Sequence, residues 1–288
     1  MMETRGWKIA RRTLTLGART LVMGVLNVTP DSFSDGGQFD APERAVAHAE
    51  RMLAEGADII DVGGESTRPG SKPVAFEEEL RRVLPVIEQI VKLPDAIVSI
   101  DTTKSEVARA ALAAGAEIVN DISALRFDFH IADEAARVGA GLILMHSRGT
   151  PATMQRLPPV PDILQDVTKS LRRSLAMAER RGGARASIVL DPGIGFGKTA
   201  EQNVELIAKL DRLINEFPDL PWLVGTSRKA FIGRLLGDAP ADERLHGTMA
   251  TVTAAILNGA SIVRVHDVKA AVETARVADA IRRAARLT

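Results

Sequence analysis

Eight short apolar segments of this sequence are each followed at once by residues that can bind polar or charged groups. These polar stretches are Asn27–Asp31, Gly63–Gly70, Asp101–Lys104, Asn120–Asp121, His146–Gly149, Asp191–Gly193, Gly225–Lys229 and Arg264–Asp267. Their carboxylates and amides can accept N–H hydrogen bonds, and Arg264 and His266, two residues apart on one strand face, can hold an anion. Taken singly, Asp101 could equally cap the next helix, and His266 could be an ordinary buried histidine. The occurrence of all eight stretches favours a shared pocket.

The apolar segments themselves are typical of buried parallel strands. They are Leu21–Leu26, Ile59–Val62, Ala96–Ile100, Ile118–Val119, Leu142–Met145, Ile188–Leu190, Trp222–Val224 and Ile262–Val265. Helical patterns separate them, as in a parallel sheet that is covered by helices. Eight repeats predict an α/β protein with a single closed (β/α)8 TIM barrel, and an open doubly wound sheet is the alternative. All strands of such a barrel end on the face that carries active sites, so the polar stretches should line one pocket there.

Local signals predict where several elements begin and end. Three glycines stand just before predicted strands, where a left-handed residue can end a helix; they are Gly56, Gly115 and Gly259. The apolar spacing in Leu206–Phe217 predicts one helix face, as does that in Phe76–Ile87, which Pro85 should kink or split. The alternation in Trp7–Thr20 around Leu16–Ala18 predicts a short N-terminal β-hairpin that caps the barrel floor.

Composition excludes several classes of function. The 288 residues include no Cys, so thiolate metal sites and cysteine nucleophiles are excluded, and a reducing cytoplasmic location is expected. Lys and Arg together number 37, as do Asp and Glu, and only 3% of the residues are aromatic, so nucleic-acid binding is not expected. The apolar run Leu21–Leu26 is far shorter than the roughly 20 residues that span a membrane. Because no low-complexity linker divides the chain, residues 1–288 are predicted to form one domain.

A glycine-rich segment and two long loops have the composition of ligand-binding regions. Gly193–Thr199 is not a Walker loop, because Pro192 stands where that motif needs glycine, and its glycines do not have the dinucleotide-binding spacing. It could let the backbone approach a flat ligand, or it could be only a loop before a helix at Thr199. The loops Thr29–Pro42 and Gly64–Pro73 are candidate lids.

The sequence resembles the dihydropteroate synthase family of folate biosynthesis from about Leu21 to Val277. The segments that carry the resemblance are Met23–Gly37, Asp61–Gly70, Asp191–Lys198, Ser227–Lys229 and Arg264–Val268. The resemblance implies a barrel that condenses 6-hydroxymethyl-7,8-dihydropterin diphosphate with p-aminobenzoate in an SN1-like reaction that releases pyrophosphate. It also implies bound Mg²⁺ and a homodimer, for which the helices in Glu243–Leu257 and Lys269–Ile281 are candidate contact surfaces.

The resemblance assigns roles to individual residues. It implies that pterin diphosphate is bound by Thr67, Asp101, Asn120, Ile122, Met145, Asp191, Phe196, Gly225, Lys229, Arg264 and His266. It implies that p-aminobenzoate is bound by Phe33, Thr67, Pro69, Phe196, Lys229 and Ala230. The catalytic set implied is Arg68, Asp101, Lys229, Arg264 and His266, and Asn27 is the implied Mg²⁺ ligand.

Two departures from the family pattern and three alternative functions remain. Ala230 stands where the family commonly has Ser, and Ser147 stands where a Met is frequent. A pterin-binding methyltransferase would share the pterin contacts but has no use for a diphosphate clamp. A Schiff-base aldolase would need an activated Lys229. A catalytically silent paralogue would bind pterin without condensing it, and Ala230 is the feature that favours this hypothesis.

Overall fold

A computed structural model describes residues 4–29, 41–68 and 70–285 of the chain. Its strands are β1 (Arg5–Lys8), β2 (Thr13–Leu16), β3 (Leu21–Asn27), β4 (Ile59–Gly63), β5 (Val98–Asp101), β6 (Ile118–Asp121), β7 (Gly141–Met145), β8 (Ile188–Asp191), β9 (Leu223–Val224) and β10 (Ile262–Val265). Its α-helices are α1 (Ala41–Ala54), α2 (Phe76–Ile90), α3 (Ser105–Ala113), α4 (Ile131–Val138), α5 (Ile163–Arg180), α6 (Ala200–Ala208), α7 (Leu210–Glu216), α8 (Ala230–Leu235), α9 (Leu245–Leu257) and α10 (Val268–Ala284). None of the helices in these ranges has the length and apolar character that a membrane span requires.

Strands β3 to β10 form a nearly closed parallel barrel, so the predicted TIM barrel is confirmed. The strand order is β8-β7-β6-β5-β4-β3-β10-β9. The two ends of this order meet through a bridge between Leu190 and Trp222, where the N–H of Leu190 donates to the carbonyl of Pro221 at 3.0 Å. Each strand buries one face under the helices and the other inside the barrel, which explains why the strand segments are almost uninterruptedly apolar.

The three predicted helix-ending glycines have the left-handed conformation. Their φ angles are 101° at Gly56, 111° at Gly115 and 106° at Gly259. After α1, the N–H of Gly56 donates to the carbonyl of Leu53, and the N–H of Ala57 donates to that of Met52. This is a Schellman pattern, which satisfies the last carbonyls of the helix while the chain turns towards the next strand.

Two helix predictions differ from the structure. The segment Leu206–Phe217 is divided between α6 and α7 at Lys209, and beside this break Asn258 Nδ2 donates to the carbonyl of Ile207 at 2.8 Å. Pro85 does not split α2, which runs unbroken on both sides of it. Pro85 is exposed, so the carbonyl one turn earlier, which loses its N–H partner, can bond to water instead.

The N-terminal hairpin exists, but its turn was predicted at the wrong place. Strands β1 and β2 pair antiparallel through a turn at Ile9–Arg12, not around Leu16–Ala18. Arg12 fixes this turn by pairing with the fully buried Glu117 at 2.9 Å. The predicted position on the barrel floor is confirmed, because Trp7 and Leu16 pack against the inward-facing residues at the start of the barrel strands.

Candidate active site

The interior of the barrel is filled from its floor by aliphatic side chains, with polar residues above them. The floor includes Ile59, Ile97, Ile118, Ile143, Val189, Leu223 and Ile262. Because strand side chains alternate between faces, the residue two positions further along also points inward. Those positions hold Asp61, Ser99, Asn120, Met145, Asp191, Gly225 and Arg264, and two residues beyond three of them stand Asp101, Ile122 and His266. The alternation that buries the floor therefore brings the polar residues to one face.

A pocket at this face is lined by eleven of the residues that the sequence singled out. They are Thr67, Asp101, Asn120, Ile122, Met145, Asp191, Phe196, Gly225, Lys229, Arg264 and His266. Val25, Ile194 and Ser227 also line it. The pocket thus combines apolar walls with a few convergent charged and polar groups, which is typical of a small-molecule site.

Arg264 reaches from β10 to two carboxylates on other strands. Its Nε donates to Asp61 Oδ2 at 2.6 Å, and its Nη2 donates to Asp101 Oδ2 at 2.7 Å. Burial raises the pKa of Asp101 to about 7, and the nearby Arg264 charge opposes that rise. Although burial alone would lower the pKa of Arg264, the carboxylates of Asp61 and Asp101 raise it. Arg264 is therefore a permanent cation in the wall of the pocket.

Asp191 ends β8 and presents a carboxylate to the pocket. Its Oδ1 accepts a hydrogen bond from the N–H of Gly193 at 2.7 Å, which orients the carboxylate. Burial raises the pKa of Asp191 to about 6, while the Gly193 bond and the positive charge of Lys229 oppose the rise. Asp191 is ionised at neutral pH and can accept a pair of N–H bonds.

Lys229 lines the same pocket as Asp191 and has a weakly basic amine. Its Nζ donates to the carbonyl of Ile194 at 2.7 Å and lies 4.1 Å from the ring centroid of Phe196. Burial lowers the pKa of Lys229 to about 7, although the carboxylate of Asp191 opposes this effect. The amine is therefore a hydrogen-bond donor whose charge depends on pH near neutrality.

A strained turn aims Lys229 at the pocket. Arg228, the residue before it, has a φ of 58°, which is unusual for a residue with a side chain. The N–H of Arg228 donates to Thr248 Oγ1 at 3.1 Å, and its carbonyl accepts a bond from Arg244 at 2.9 Å. Its guanidinium also pairs with Asp267. These three contacts, from α9 and its preceding loop and from the end of β10, hold the turn against its strain.

His266 is neutral at physiological pH. Its backbone N–H donates to Ser227 Oγ at 3.1 Å, and its Nδ1 is hydrogen-bonded to the same hydroxyl at 3.0 Å. Burial, together with the neighbouring charges of Arg264 and Arg228, lowers the pKa of His266 to about 4. His266 can therefore offer an N–H to an anion, while the fixed positive charge at this end of the pocket comes from Arg264.

The glycine-rich segment after β8 is a tightly packed loop whose conformation depends on its glycines. Gly193, Gly195 and Gly197 have φ angles of 66°, 86° and 70°. A Cβ on Gly193 would lie 1.7 Å from the carbonyl oxygen of His146, so only glycine fits there. Lys198 Nζ donates to the carbonyl of Gly193 at 2.7 Å and ties the loop together. The glycines thus allow close packing against Lys229 and against His146 and Arg148, which follow β7, and Thr199 caps α6 in a capping box.

A wider cavity of about 350 Å³ adjoins the pocket and shares Thr67, Asp101 and Ile122 with it. Lys104 lines this cavity, where it donates to Glu65 at 2.5 Å and also pairs with the buried Glu79. These ion pairs fix the start of the loop that follows β4.

Five predicted residues are not in the pocket lining. Asn27 lies beside it, since a Cβ on Gly63 would lie 3.8 Å from Asn27 Oδ1 and 3.7 Å from an Asp101 oxygen. Arg68 and Ala230 are exposed, Arg68 in the loop after β4 and Ala230 at the start of α8. Phe33 and Pro69 lie outside the described residues.

Sequence reasoning missed three residues that shape the site. Asp61 was counted within an apolar strand segment, and its position as the one charged residue of Ile59–Val62 was the overlooked signal. Ser227 lies in the polar stretch Gly225–Lys229 and Lys198 in the glycine-rich segment, but neither was given a role of its own. The hydrogen-bond partners of these three residues are distant in sequence or on the backbone, so their contacts could not be predicted from a local pattern.

The chain matches known proteins over most of its length. Residues 23–266 match the family model described as pterin binding enzyme. The dihydropteroate synthase of Synechocystis is 49% identical over 265 residues, covering 92% of this chain and 91% of that protein. The Xanthomonas albilineans dihydropteroate synthase solved with 4-aminobenzoic acid has a TM-score of 0.89 at 44% identity, covering 96% of this chain and 98% of the other. The Burkholderia cenocepacia dihydropteroate synthase complexed with 7,8-dihydropteroate has a TM-score of 0.87 at 41% identity, covering 99% of both chains.

Proposed function

Because the chain belongs to the dihydropteroate synthase family of pterin-binding enzymes, we propose that it condenses 6-hydroxymethyl-7,8-dihydropterin diphosphate with p-aminobenzoate and releases pyrophosphate. Membership of this family makes the chain a transferase of folate synthesis. The observation that carries the proposal is the shared pocket of Asp191, Asn120 and Lys229 with Arg264 and His266. Such a pocket suits a flat, donor-rich heterocycle with an anionic tail.

The pterin ring is proposed to lie against Asp191. A pterin presents adjacent N–H donors, which an ionised carboxylate accepts as a pair. Lys229 Nζ donates to the pterin carbonyl, and Asn120 and Asp101 complete the polar rim. Ile122, Met145 and Phe196 contact the ring, and Gly225 leaves room for it.

The diphosphate is proposed to lie towards Arg264, His266 and Thr67, with Arg68 approaching from the loop. The interior below it carries no surplus of positive charge. Arg264 is already shared between Asp61 and Asp101, and His266 is neutral at pH 7. A diphosphate therefore needs a further cation to offset its charge, which supports the expected use of Mg²⁺.

Asn27 is the residue proposed to hold Mg²⁺. No group of three or more His, Asp or Glu side chains that could hold a metal occurs in residues 4–29, 41–68 and 70–285. A single amide oxygen beside the pocket fits an ion that keeps its waters and takes its other ligands from diphosphate oxygens. Bound there, Mg²⁺ would supply positive charge to the departing pyrophosphate.

The proposed chemistry needs little proton transfer. The C–O bond between the pterin methylene and the diphosphate breaks first, and its electron pair leaves with pyrophosphate. The N–H of His266 and the guanidinium of Arg264 stabilise that developing charge. The neutral amine of p-aminobenzoate then bonds to the methylene carbon and loses a proton to solvent, so no general base is assigned. This order of events is the SN1-like course.

The acceptor is proposed to lie over the pterin, held by Thr67, Phe196 and Lys229 and by Phe33, Pro69 and Ala230. Thr67 is common to the pocket and the adjoining cavity, which supports an approach of the acceptor from that side. Ala230 begins α8 and offers a backbone N–H without a helical partner, which can receive the acceptor's carboxylate.

A pyrophosphate-release assay tests the proposed function. The protein is mixed with dihydropterin diphosphate and Mg²⁺, with and without p-aminobenzoate. Release that requires the acceptor supports the synthase. Tight pterin binding without turnover would instead identify a catalytically silent paralogue, and trapping of a carbonyl substrate on Lys229 by borohydride would identify a Schiff-base enzyme.

A homodimer and a single domain over residues 1–288 are also proposed. Val277 and Ile281 lie one helical turn apart on α10 and are exposed, as is Leu257 at the end of the adjacent α9. An apolar face of this kind suits a second copy of the chain. Sedimentation of the parent and of Val277→Asp would test it, since the substitution should yield monomers.

A further inference from the structure

Asp61 is a buried carboxylate that joins two parts of the pocket without lining it. It is the third residue of β4 and is fully buried. Its Oδ2 accepts hydrogen bonds from Arg264 Nε at 2.6 Å and from Asn120 Nδ2 at 2.9 Å. Its Oδ1 is buried and has no hydrogen-bond partner within the part of the chain that the structure describes.

Fold stability does not explain a carboxylate at this position. Its inward-facing neighbour on β4, Ile59, is buried and apolar, as is Val25, the paired residue on β3. A buried ion pair seldom exceeds the stability of well-packed apolar residues, and an unpartnered buried oxygen adds a further cost. A residue that lowers stability and still occupies the centre of the barrel suggests a role in the reaction.

The contact with Asn120 determines which atom of that amide faces the ligand. A carboxylate only accepts hydrogen bonds, so Asp61 binds the Nδ2 end of the amide. The carbonyl end, Oδ1, is thereby directed away from Asp61, and Asn120 lines the pocket. Without Asp61 the amide could rotate and present its donor to the N–H edge of a pterin.

The contact with Arg264 fixes the direction of the guanidinium. Asp61 binds Nε and Asp101 binds Nη2, so two of the three guanidinium nitrogens are held by residues on different strands. A guanidinium held at two points cannot swing about its long side chain. The remaining donors then keep one orientation toward an anion in the pocket.

We propose that Asp61 is a positioning residue for the condensation, which orients the amide of Asn120 toward the pterin and the guanidinium of Arg264 toward the departing diphosphate. Asp61 acts through these two side chains and makes no contact with substrate. The inference rests on the proposed function for its Arg264 part, whereas its Asn120 part concerns pterin binding alone.

The test compares Asp61→Asn with Asp279→Asn. Asp279 is a matched control, because it is a buried carboxylate bonded to an arginine, Arg282 at 2.6 Å, on α10 and outside the pocket lining. We expect Asp61→Asn to lower kcat about 100-fold and pterin affinity about 10-fold, with little change in KM for p-aminobenzoate. Because each substitution removes the charge of a buried carboxylate that is paired with an arginine, both variants should have a lower Tm than the parent. Asp279→Asn should lower Tm and leave kcat within about twofold of the parent.

A double-mutant cycle with Asn120→Ala separates positioning from a merely structural role. If Asp61 acts on the pterin through Asn120, the double variant should bind pterin as tightly as Asn120→Ala alone. Additive losses would overturn the proposal, as would a kcat of Asp61→Asn within twofold of the parent. Failure of Asp61→Asn to fold would also overturn it, since Asp61 would then be needed for the fold.

These outcomes are distinct from failure of the proposed function. In that case the parent itself would release no pyrophosphate. Calorimetry with 6-hydroxymethylpterin on the parent, Asp61→Asn, Asn120→Ala and the double variant would still decide the Asn120 part of the proposal.

Discussion

Replacing Asp191 by Asn should weaken pterin binding about 100-fold at pH 7.5 and reduce its dependence on pH. Asp191→Asn keeps the size of the side chain but loses the charge and one of two acceptor positions. Hydrogen bonds to a charged group each contribute about 1.5–3 kcal/mol, so the expected loss is about 3 kcal/mol, which corresponds to roughly 100-fold in Kd.

The pH dependence follows from the pKa of Asp191, which burial raises to about 6. Only the ionised carboxylate accepts two N–H bonds, so the affinity of the parent should be highest above pH 6 and should fall about tenfold per pH unit below it. The amide of Asp191→Asn does not titrate. The difference between the two affinity curves should therefore shrink from pH 7.5 to pH 5, even though Asp101 and Lys229 titrate in both proteins.

Calorimetric titration with 6-hydroxymethylpterin between pH 5 and pH 8 measures this directly. Asp121→Asn is a suitable control, because burial also raises the pKa of Asp121 to about 6, but its oxygens accept the N–H groups of Ser123 and Leu125. It lies outside the pocket lining, so its substitution should lower stability while retaining the parent's pH dependence.

Two results would refute the reasoning. Near-parental affinity of Asp191→Asn at pH 7.5 would mean that the pterin does not bond to this carboxylate. A parallel fall of both curves below pH 6 would mean that another group, such as Asp101, controls the pH dependence.

Two further predictions concern the buried amine of Lys229 and the tightly packed Gly193. Lys229→Met should abolish most turnover and yet stabilise the protein at pH 7 by about 1–3 kcal/mol, because burial lowers the pKa of that amine and so disfavours its charge. The pyrophosphate assay measures the loss of turnover, and thermal unfolding measures the gain in stability. A Tm below that of the parent would contradict the predicted stabilisation. Gly193→Ala should lower the free energy of unfolding, measured in urea, by about 3 kcal/mol or more, because the added Cβ would overlap the carbonyl of His146. Gly139 has a similar φ of 69°, but a Cβ there would meet nothing within 4 Å, so Gly139→Ala should lower the free energy of unfolding by only about 1 kcal/mol. Equal losses would show that backbone strain alone accounts for the effect.

Much of the fold was predictable because its signals are local. Strand positions agreed with the structure to within a few residues, since each strand segment is a short apolar run before a polar stretch. The glycines that end helices were predictable because a left-handed residue is required at a fixed place in the turn. The hairpin turn was not, because the contact of Arg12 with Glu117 joins residues over a hundred positions apart.

The candidate site was predictable in outline and not in detail. Eleven of the predicted residues line one pocket, whereas Arg68 and Ala230 are exposed and Asn27 lies beside it. The family resemblance assigns roles to residues, but the exposure of a loop or of a helix start depends on packing that a motif does not encode.

By itself the sequence determined the alternation of strands and helices and the polar residues at the strand ends, since both follow from side-chain periodicity and backbone preference over a few residues. Only the tertiary structure decided which polar groups meet. Arg264 and Asp61 are 203 residues apart in the chain, and burial is the largest cause of the shifted pKa values of Asp191, Lys229 and His266. Solvation and Coulomb interactions depend on distance in space, so the chemistry of this pocket is a property of the closed barrel.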